Sequence, residues 1–346
     1  MALDRSILRR PAKAKRHPQY SFDFKAAAKN MKFHQLRALI AVSETGSMHD
    51  ACRALHVSQP AVSKALADLE IELSVPLLVR SPRGVTLTSY GQSLVRHARA
   101  VEHELNNARE DIEVLRGSSG GTLTIGVTPV TALGPFAGVI RRFAIKFPDI
   151  RIHVLELRPA QIEERLMDGT IDFALMSRIG EPVKSRFYWE LLYSTTNYLA
   201  VRTGNKLAQA RSLQTLVNER WLSFDTPDDP TSFLGTTFDM HSMKPPQSVL
   251  RCMSTGLYME LAVTTDLIST WGQPAFGLRS LEGQLTRLQL KESLPDISVG
   301  LVCRDIELVT KISNSCIDMI RNACCALNEK SGQPPLRPGK GVSLPK

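Results

Sequence analysis

Between residues 36 and 69, apolar side chains recur at the spacing of helices that each pack by one face. Leu36, Leu39 and Ile40 share one face, Ala51 and Leu55 continue a second, and Val62, Leu66 and Leu69 form a third. Gly46 tolerates the left-handed backbone that ends a helix, and Ser47 is a natural cap for the next one. His56 and Val57 leave room for only a short turn before Ser58, a second cap, and Pro60 sits in the first turn that follows. Gln59, Ser63 and Lys64 fall off the apolar stripe. Three helices joined by tight turns, the third held by its back with its first polar residues exposed, follow the helix-turn-helix plan. In that plan the third helix presents its N-terminal residues to base edges in the major groove.

The pattern then changes twice. Residues 77–80 and 85–87 read as short strands around Ser81-Pro82-Arg83-Gly84, a strong turn signal. This basic hairpin is a wing, with Arg80 and Arg83 suited to phosphate or minor-groove contact. Taken singly, each basic residue could equally be a solvated surface charge. From Thr88 onward, Leu94, Ala98, Val101, Leu105, Ala108, Ile112 and Leu115 alternate spacings of four and three, a heptad seam. A lone helix does not hold such a seam in water. A second copy of the helix is the expected partner, and packing within the chain is the alternative. Arg116-Gly117-Ser118-Ser119-Gly120-Gly121 closes the helix and reads as a hinge.

Beyond the hinge, strands and helices alternate. Strands are expected at 122–127, 151–157 and 171–176, with helices at 133–147 and 160–167 between them. This is a βαβαβ unit that implies a parallel sheet. Further strands at 198–201, 221–224, 249–253 and 267–271 form a second unit. A strand at 298–304 and a helix at 307–328 return to the style of the first. Two such lobes enclose a cleft, and ligands sit beyond the carboxyl ends of the strands, against helix N-termini. The candidate contacts are Thr128, Pro129, Thr131, Met176 and Ser177 from the first lobe, and Phe224, Asp225, Thr226, Thr270 and Trp271 from the second. Arg202 and Thr203 mark the expected crossing. Each Thr or Ser could instead be a helix cap. Free N–H groups near Thr131 favour an anionic ligand.

Charge alters this picture less than its total implies. The chain of 346 residues carries a net charge of +9. Residues 1–30 hold eight basic against two acidic side chains, and 330–346 hold four basic and no acidic ones, which leaves −1 for 31–329. The basic character belongs to the two ends, so it does not itself mark a DNA-binding domain. The six cysteines show no metal-ligand spacing and lie in apolar runs, as buried thiols do in a reducing compartment. No stretch has the ~20 apolar residues of a membrane span. Residues 1–30 lack the apolar core of a secretory signal, and Met31 is an alternative start.

The stretches GSMHDACRALHVSQPAVSKALADLE and PLLVRSPRGVTLTSYG resemble the winged helix-turn-helix of LysR-type transcriptional regulators. GGTLTIGV and FPDIRIHVLEL…LMDGTIDFALM match the family's first effector lobe more loosely, and the resemblance runs from about 31 to 328. It implies a dimer of dimers on promoter DNA, with antiparallel linker helices. It also implies a periplasmic-binding-protein-like domain whose small inducer changes DNA bending and RNA polymerase recruitment. By position, Ser58, Gln59, Pro60, Ser63 and Lys64 would face bases or phosphates, Arg80 and Arg83 would form the wing, and Thr88 would cap the linker helix near the DNA backbone as a further DNA-binding residue. Thr128 and Thr131 match the family's inducer contacts. The wing and linker most resemble the subgroup that senses aromatic sulfonates or other small organic anions. Met48, His49, Cys52, Leu78 and Tyr90 depart from the usual residues there.

The resulting fold class is α/β: a winged helix-turn-helix, a long linker helix and a two-lobed periplasmic-binding-protein-like α/β domain. The expected bounds are a disordered basic extension at 1–30, the DNA-binding domain at 31–87, the linker at 88–116 and the hinge at 117–121. The inducer-binding domain spans 122–329 (lobe I 122–195 and 288–329, lobe II 196–287), and 330–346 is a disordered tail. The expected function is a cytoplasmic, inducer-responsive activator, a homotetramer with no cofactor and no membrane association. A solute-binding protein of transport shares the two lobes, but it gives residues 34–116 no role and calls for an export signal. An enzyme would need a nucleophile elbow, a metal cluster or paired carboxylates, and none stands out. The acidic run Asp225-Thr226-Pro227-Asp228-Asp229 is interrupted by proline and reads as a loop.

Overall fold

The computed structural model describes residues 31–82, 84–116, 120–180, 186–224 and 232–330. By contact the chain divides into two units, Met1–Ala98 and Arg99–Lys346. The expected extension at 1–30, the tail beyond 330 and part of the hinge at 117–121 lie outside the described residues.

The first unit is built on three helices, α1 (Phe33–Thr45), α2 (Met48–Leu55) and α3 (Gln59–Leu73). Gly46 closes α1 at φ 64, and its N–H donates to the Val42 carbonyl. The Ser47 hydroxyl accepts the Asp50 N–H at the start of α2. Leu39, Ala51, Val62, Leu66 and Leu69 meet in one buried core. The wing, β1 (Leu78–Ser81) paired antiparallel with β2 (Gly84–Leu87), is tied to this core at both ends. The Glu70 carboxylate accepts the Leu77 and Leu78 N–H groups at 2.7 and 3.1 Å. At the other end, Val85 N–H donates to the Gly46 carbonyl at 3.0 Å. Gly84, at φ +126, sits so close that a Cβ there would stand 2.8 Å from that same oxygen. The long helix α4 (Ser89–Leu115) follows, and at Gly91 a Cβ would lie 2.2 Å from the Leu77 carbonyl oxygen. Glycine is therefore required where the helix crosses the wing.

The second unit holds two five-stranded sheets. Lobe I orders its strands as β4 (Ile150–Glu156), β3 (Gly121–Val127), β5 (Phe173–Ile179), β12 (Ile297–Cys303) and β6 (Tyr188–Thr195). Strand β3 runs parallel to β4 and β5, whereas β12 is antiparallel to β5 and β6. The sheet is mixed where a parallel one was expected, because β12 returns from lobe II against the direction of β5. Strand β6 carries no alternation clear enough to mark it in the sequence.

Lobe II orders β11 (Leu285–Arg287), β7 (Asn197–Arg202), β10 (Ile268–Gly272), β8 (Trp221–Ser223) and β9 (Val249–Arg251). The expected helix at 133–147 is α6 (Phe136–Lys146), and a separate short helix, α5 (Pro129–Ala132), precedes it. Gly134-Pro135 breaks the run, since proline lacks the N–H that would continue it. Helix α7 (Pro159–Asp168) covers lobe I, while α8 (Phe233–Asp239) and α9 (Thr255–Thr264) cover lobe II. The last helix, α10, spans Lys311–Lys330. It begins later than expected, because Asp305 caps a separate 3-10 turn at Ile306–Leu308. Cys303, Cys316 and Cys324 are buried, and burial pushes each thiol up to about 12, which leaves them inert at neutral pH. No helix among the described residues is long and apolar enough to cross a membrane.

Candidate DNA-reading surface and effector cleft

Helix α3 is held from behind and open in front. Val62, Leu66 and Leu69 are buried, whereas Gln59, Pro60 and Lys64 are exposed and Ser63 is half-buried. Ser58 occupies the N-cap position with extended backbone, but its hydroxyl makes no capping bond. Its side chain is exposed beside Gln59. An open concavity next to these residues is lined by His49, Arg53 and His56 from α2 and the turn after it. None of these three was expected at this surface: His56 read as part of the turn and His49 as a departure from the family's usual residue. Arg53 lies 3.8 Å from Asp50 and is largely exposed.

Arg80 is exposed on β1, and Arg83 lies outside the described residues. The Thr88 hydroxyl accepts the Gly91 N–H at 3.0 Å and donates to the Pro76 carbonyl at 2.7 Å. Thr88 thus caps α4, and its one proton is engaged inside the fold rather than offered to a phosphate. Along α4, Val101, Leu105, Ile112 and Leu115 are exposed, so the second half of the heptad seam is bare in the single chain.

In the second unit, the ends of β3 and β5 meet through hydroxyls. Thr128 Oγ1 lies 2.8 Å from Ser177 Oγ and accepts the Ser177 N–H at 3.1 Å. Thr131 points inward. Its hydroxyl donates to the Leu175 or Thr128 carbonyl, at 3.0 and 2.8 Å, and it fastens α5 to the sheet. Thr128, Pro129 and Thr131 are all buried, so the expected free N–H cradle is a packed corner. Two more expectations are corrected by the sheet geometry. Met176 faces the apolar core under α7 with Ile162, Leu166 and Phe187. Arg202 stands at the far end of lobe II, because β7 runs antiparallel to β10 and only its first residues reach the cleft. There Arg202 pairs with Asp266 at 2.9 Å.

The chain crosses between lobes at Thr196 instead, between β6 and β7. Asn197 Nδ2 donates to the Pro295 carbonyl at 2.6 Å and ties the outgoing crossing to the returning one. The cleft beside this crossing is lined by Val130, Leu133 and Thr195 of lobe I and by Phe224, Thr270 and Pro274 of lobe II. It is a narrow crevice, far smaller than the usual small-ligand site.

No charged side chain lines the cleft among the described residues. Phe224 stacks on Tyr258 at 3.9 Å. The Tyr258 hydroxyl accepts the Thr270 N–H at 2.8 Å and fixes that wall. Trp271 also borders the cleft, yet it is buried, and its indole N–H donates to Ser269 Oγ at 2.7 Å. Tyr193, buried at the base of the cleft, has a phenol pushed well above its ordinary range by desolvation, so it stays neutral. Glu156, at the end of β4, accepts the Thr255 N–H across the lobes at 3.2 Å. Asp225 and Thr226 lie outside the described residues. Tyr193, Thr195 and Val130 went unnoticed in the sequence, because strand order alone brings them beside Thr270.

Comparison with known proteins identifies both units. Residues 33–92 match the bacterial regulatory helix-turn-helix protein, lysR family. Residues 116–325 match the LysR substrate binding domain. The chain is 27% identical over 260 residues to the HTH-type transcriptional regulator GbpR of Azospirillum brasilense, covering 74% of this chain and 76% of that protein. It is 33% identical over 147 residues to the nitrogen assimilation regulatory protein nac of Escherichia coli, 42% of this chain and 48% of that one. In fold, it is similar to the full-length CbnR complexed with target DNA, with a TM-score of 0.59 and 20% identity over 85% of this chain and 100% of that one. Full-length OxyR from Pseudomonas aeruginosa gives a TM-score of 0.60 at 17% identity, over 85% and 95%. The chain belongs to the LysR family of bacterial transcriptional regulators, DNA-binding proteins rather than enzymes, with a helix-turn-helix domain and an effector-binding domain.

Proposed function

We propose that α3 reads promoter DNA through Gln59, Pro60, Ser63 and Lys64, with Ser58, His49 and Arg53 beside them and Arg80 and Arg83 of the wing on the flanking backbone. The observation that carries this reading is the split of α3 into a buried apolar back and an exposed polar N-terminal face. The bare apolar stripe of α4 supports pairing with a second copy, and two such dimers on one promoter would make a tetramer able to contact RNA polymerase. A compartment with DNA and reduced thiols, the cytoplasm, fits the buried free cysteines.

The effector is a small molecule held between Thr195 and Thr270, with its flat face toward Phe224. If it is the organic anion that the sequence led us to expect, such as an aromatic sulfonate or a carboxylate, hydroxyls and backbone N–H groups would hold it without an arginine partner. Electrophoretic mobility on the promoter tests the first part. Gln59→Ala and Lys64→Ala should each weaken specific binding by about 1–3 kcal/mol, and unchanged mobility in both would sink the assignment. For the second part, thermal shift against small carboxylates, sulfonates and their neutral amides reports binding through the rise in stability it causes.

A further inference from the structure

Two hydroxyls on β6 border the cleft with nothing to bond. Tyr193 and Thr195 stand two residues apart on this strand, so they share one face of the sheet, and both line the cleft. They are 5% and 7% exposed. Among the described residues, neither hydroxyl has a hydrogen-bond partner. A buried hydroxyl without a partner costs free energy, so a fold that keeps two of them side by side calls for a group that arrives from outside. Gly134 makes room for the longer one: a Cβ there would stand 2.9 Å from Tyr193 Oη. On its inner side Tyr193 packs in the apolar core with Phe136, Val139 and Ile320. A partner for the phenol therefore comes from the cleft.

The rest of the lining decides what kind of group it is. Val130, Leu133, Pro274 and Ala275 are apolar, and Phe224 adds an aromatic ring backed by Tyr258. The Thr270 N–H is spent on Tyr258 Oη, and the Gln273 N–H on the Thr196 carbonyl. Arg202 is held by Asp266 at the far end of lobe II, and the residue that follows Phe224 in the chain is Asp225. A carboxylate or sulfonate that leaves water for such walls loses more solvation than two hydroxyls return. A neutral carbonyl loses far less, and one good donor satisfies it. Desolvation keeps the Tyr193 phenol protonated, so it remains a donor.

We infer that the cleft takes an uncharged, flat ring carrying a carbonyl-type acceptor, with its face on Phe224 and its acceptor on the Tyr193 hydroxyl. Thr195 Oγ1 serves a second polar group on the same edge. This ligand class rests on the cleft reading above and narrows it, replacing the organic anion by its neutral counterpart. A narrow crevice also suits a planar group better than a tetrahedral sulfonate.

Thermal shift of the full-length protein with benzamide, benzoate and benzenesulfonate, at equal millimolar concentration, tests this. Benzamide and benzoate share one shape and differ in charge. Benzamide should raise the melting temperature while the two anions leave it unchanged, and Tyr193→Phe should weaken benzamide about three- to tenfold. Without ligand, Tyr193→Phe should melt no lower than the wild type, because it removes a hydroxyl that has no partner. A lower melting temperature would give that hydroxyl a structural role and overturn its assignment. A shift from either anion as large as that from benzamide overturns the ligand class, and so does silence from benzamide. A folded Leu133→Trp variant, which fills the cleft, separates this class from the cleft itself. If benzamide binds that variant as it binds the wild type, it sits elsewhere and the cleft reading fails. If the filled cleft loses benzamide while Tyr193→Phe keeps it in full, the cleft stands and the role of Tyr193 falls.

Discussion

The face of α3 and the corner where β3 and β5 end both carry polar side chains, and they behave oppositely. On α3, Gln59 and Lys64 stand exposed at the end of a helix whose back is already fixed. In the corner at the ends of β3 and β5, Thr128, Thr131 and Ser177 bond to one another and to the sheet, and both threonines are buried. The first surface is preformed and binds by adding contacts. The second is satisfied within the fold, so its side chains brace the lobe instead of standing open.

Leu66→Ala should break this contrast most severely. Leu66 is completely buried at the centre of the first unit, and its truncation should cost about 2–5 kcal/mol. Urea unfolding followed by exchange should show the first unit failing while the second persists, with loss of promoter binding. Gly91→Ala comes next. Its methyl would meet the Leu77 carbonyl, and overpacking at such a site costs roughly 1–3 kcal/mol. Here, too, the loss should be confined to the first unit.

Thr270→Val sharpens the comparison from the other side. It removes one hydroxyl from the cleft wall and should weaken effector binding by about 1 kcal/mol while promoter affinity stays unchanged. A matching drop in both would mean that the lobe had been disturbed.

The smallest expected effect is a pH response that nearly cancels. Burial lowers His103 from 6.5 to about 4, with Arg304 adding to the shift, and burial raises Asp172 from 3.8 to about 6. Stability from His103 is present above pH 6.5 and lost as pH falls toward 4. Stability from Asp172 is present below pH 3.8 and lost as pH rises through 6. Between pH 4 and 6 the two oppose each other, and the folded and unfolded chains hold nearly the same number of protons at this pair. Arg99, Glu104 and Glu110 on α4, Asp168 on α7, and Arg304 and Asp305 after β12 surround the pair. The wild type should therefore show a flat contribution, whereas Asp172→Asn should lose stability steadily as pH falls from 6.5 to 4. Denaturant midpoints across that range check it, and equal slopes in the two proteins would remove the pair from the account.

The parts of the site legible in the sequence are those set by near neighbours. Gly46, Ser47, Pro60 and the stripe Val62, Leu66, Leu69 define their helices within one or two turns, so the polar face of α3 follows from spacing alone. The cleft was legible only in outline. Phe224, Thr270 and Trp271 border it, as strand ends implied. Met176 instead turns into the core, Thr131 braces the sheet, and Arg202 sits at the opposite end of its lobe. A strand's sequence does not state its direction in the sheet, and reversing β7 relative to β10 moves Arg202 the length of the strand.

The sequence by itself determined the elements and their order, because helix periodicity, caps and turn residues act over a few positions. It also determined that the seam of α4 needs a partner. Only the tertiary structure decided which hydroxyls remain available and where the chain crosses between lobes. Those outcomes depend on strand order and on residues far apart in the chain, such as Asn197 and Pro295, and no local pattern encodes a meeting at that separation.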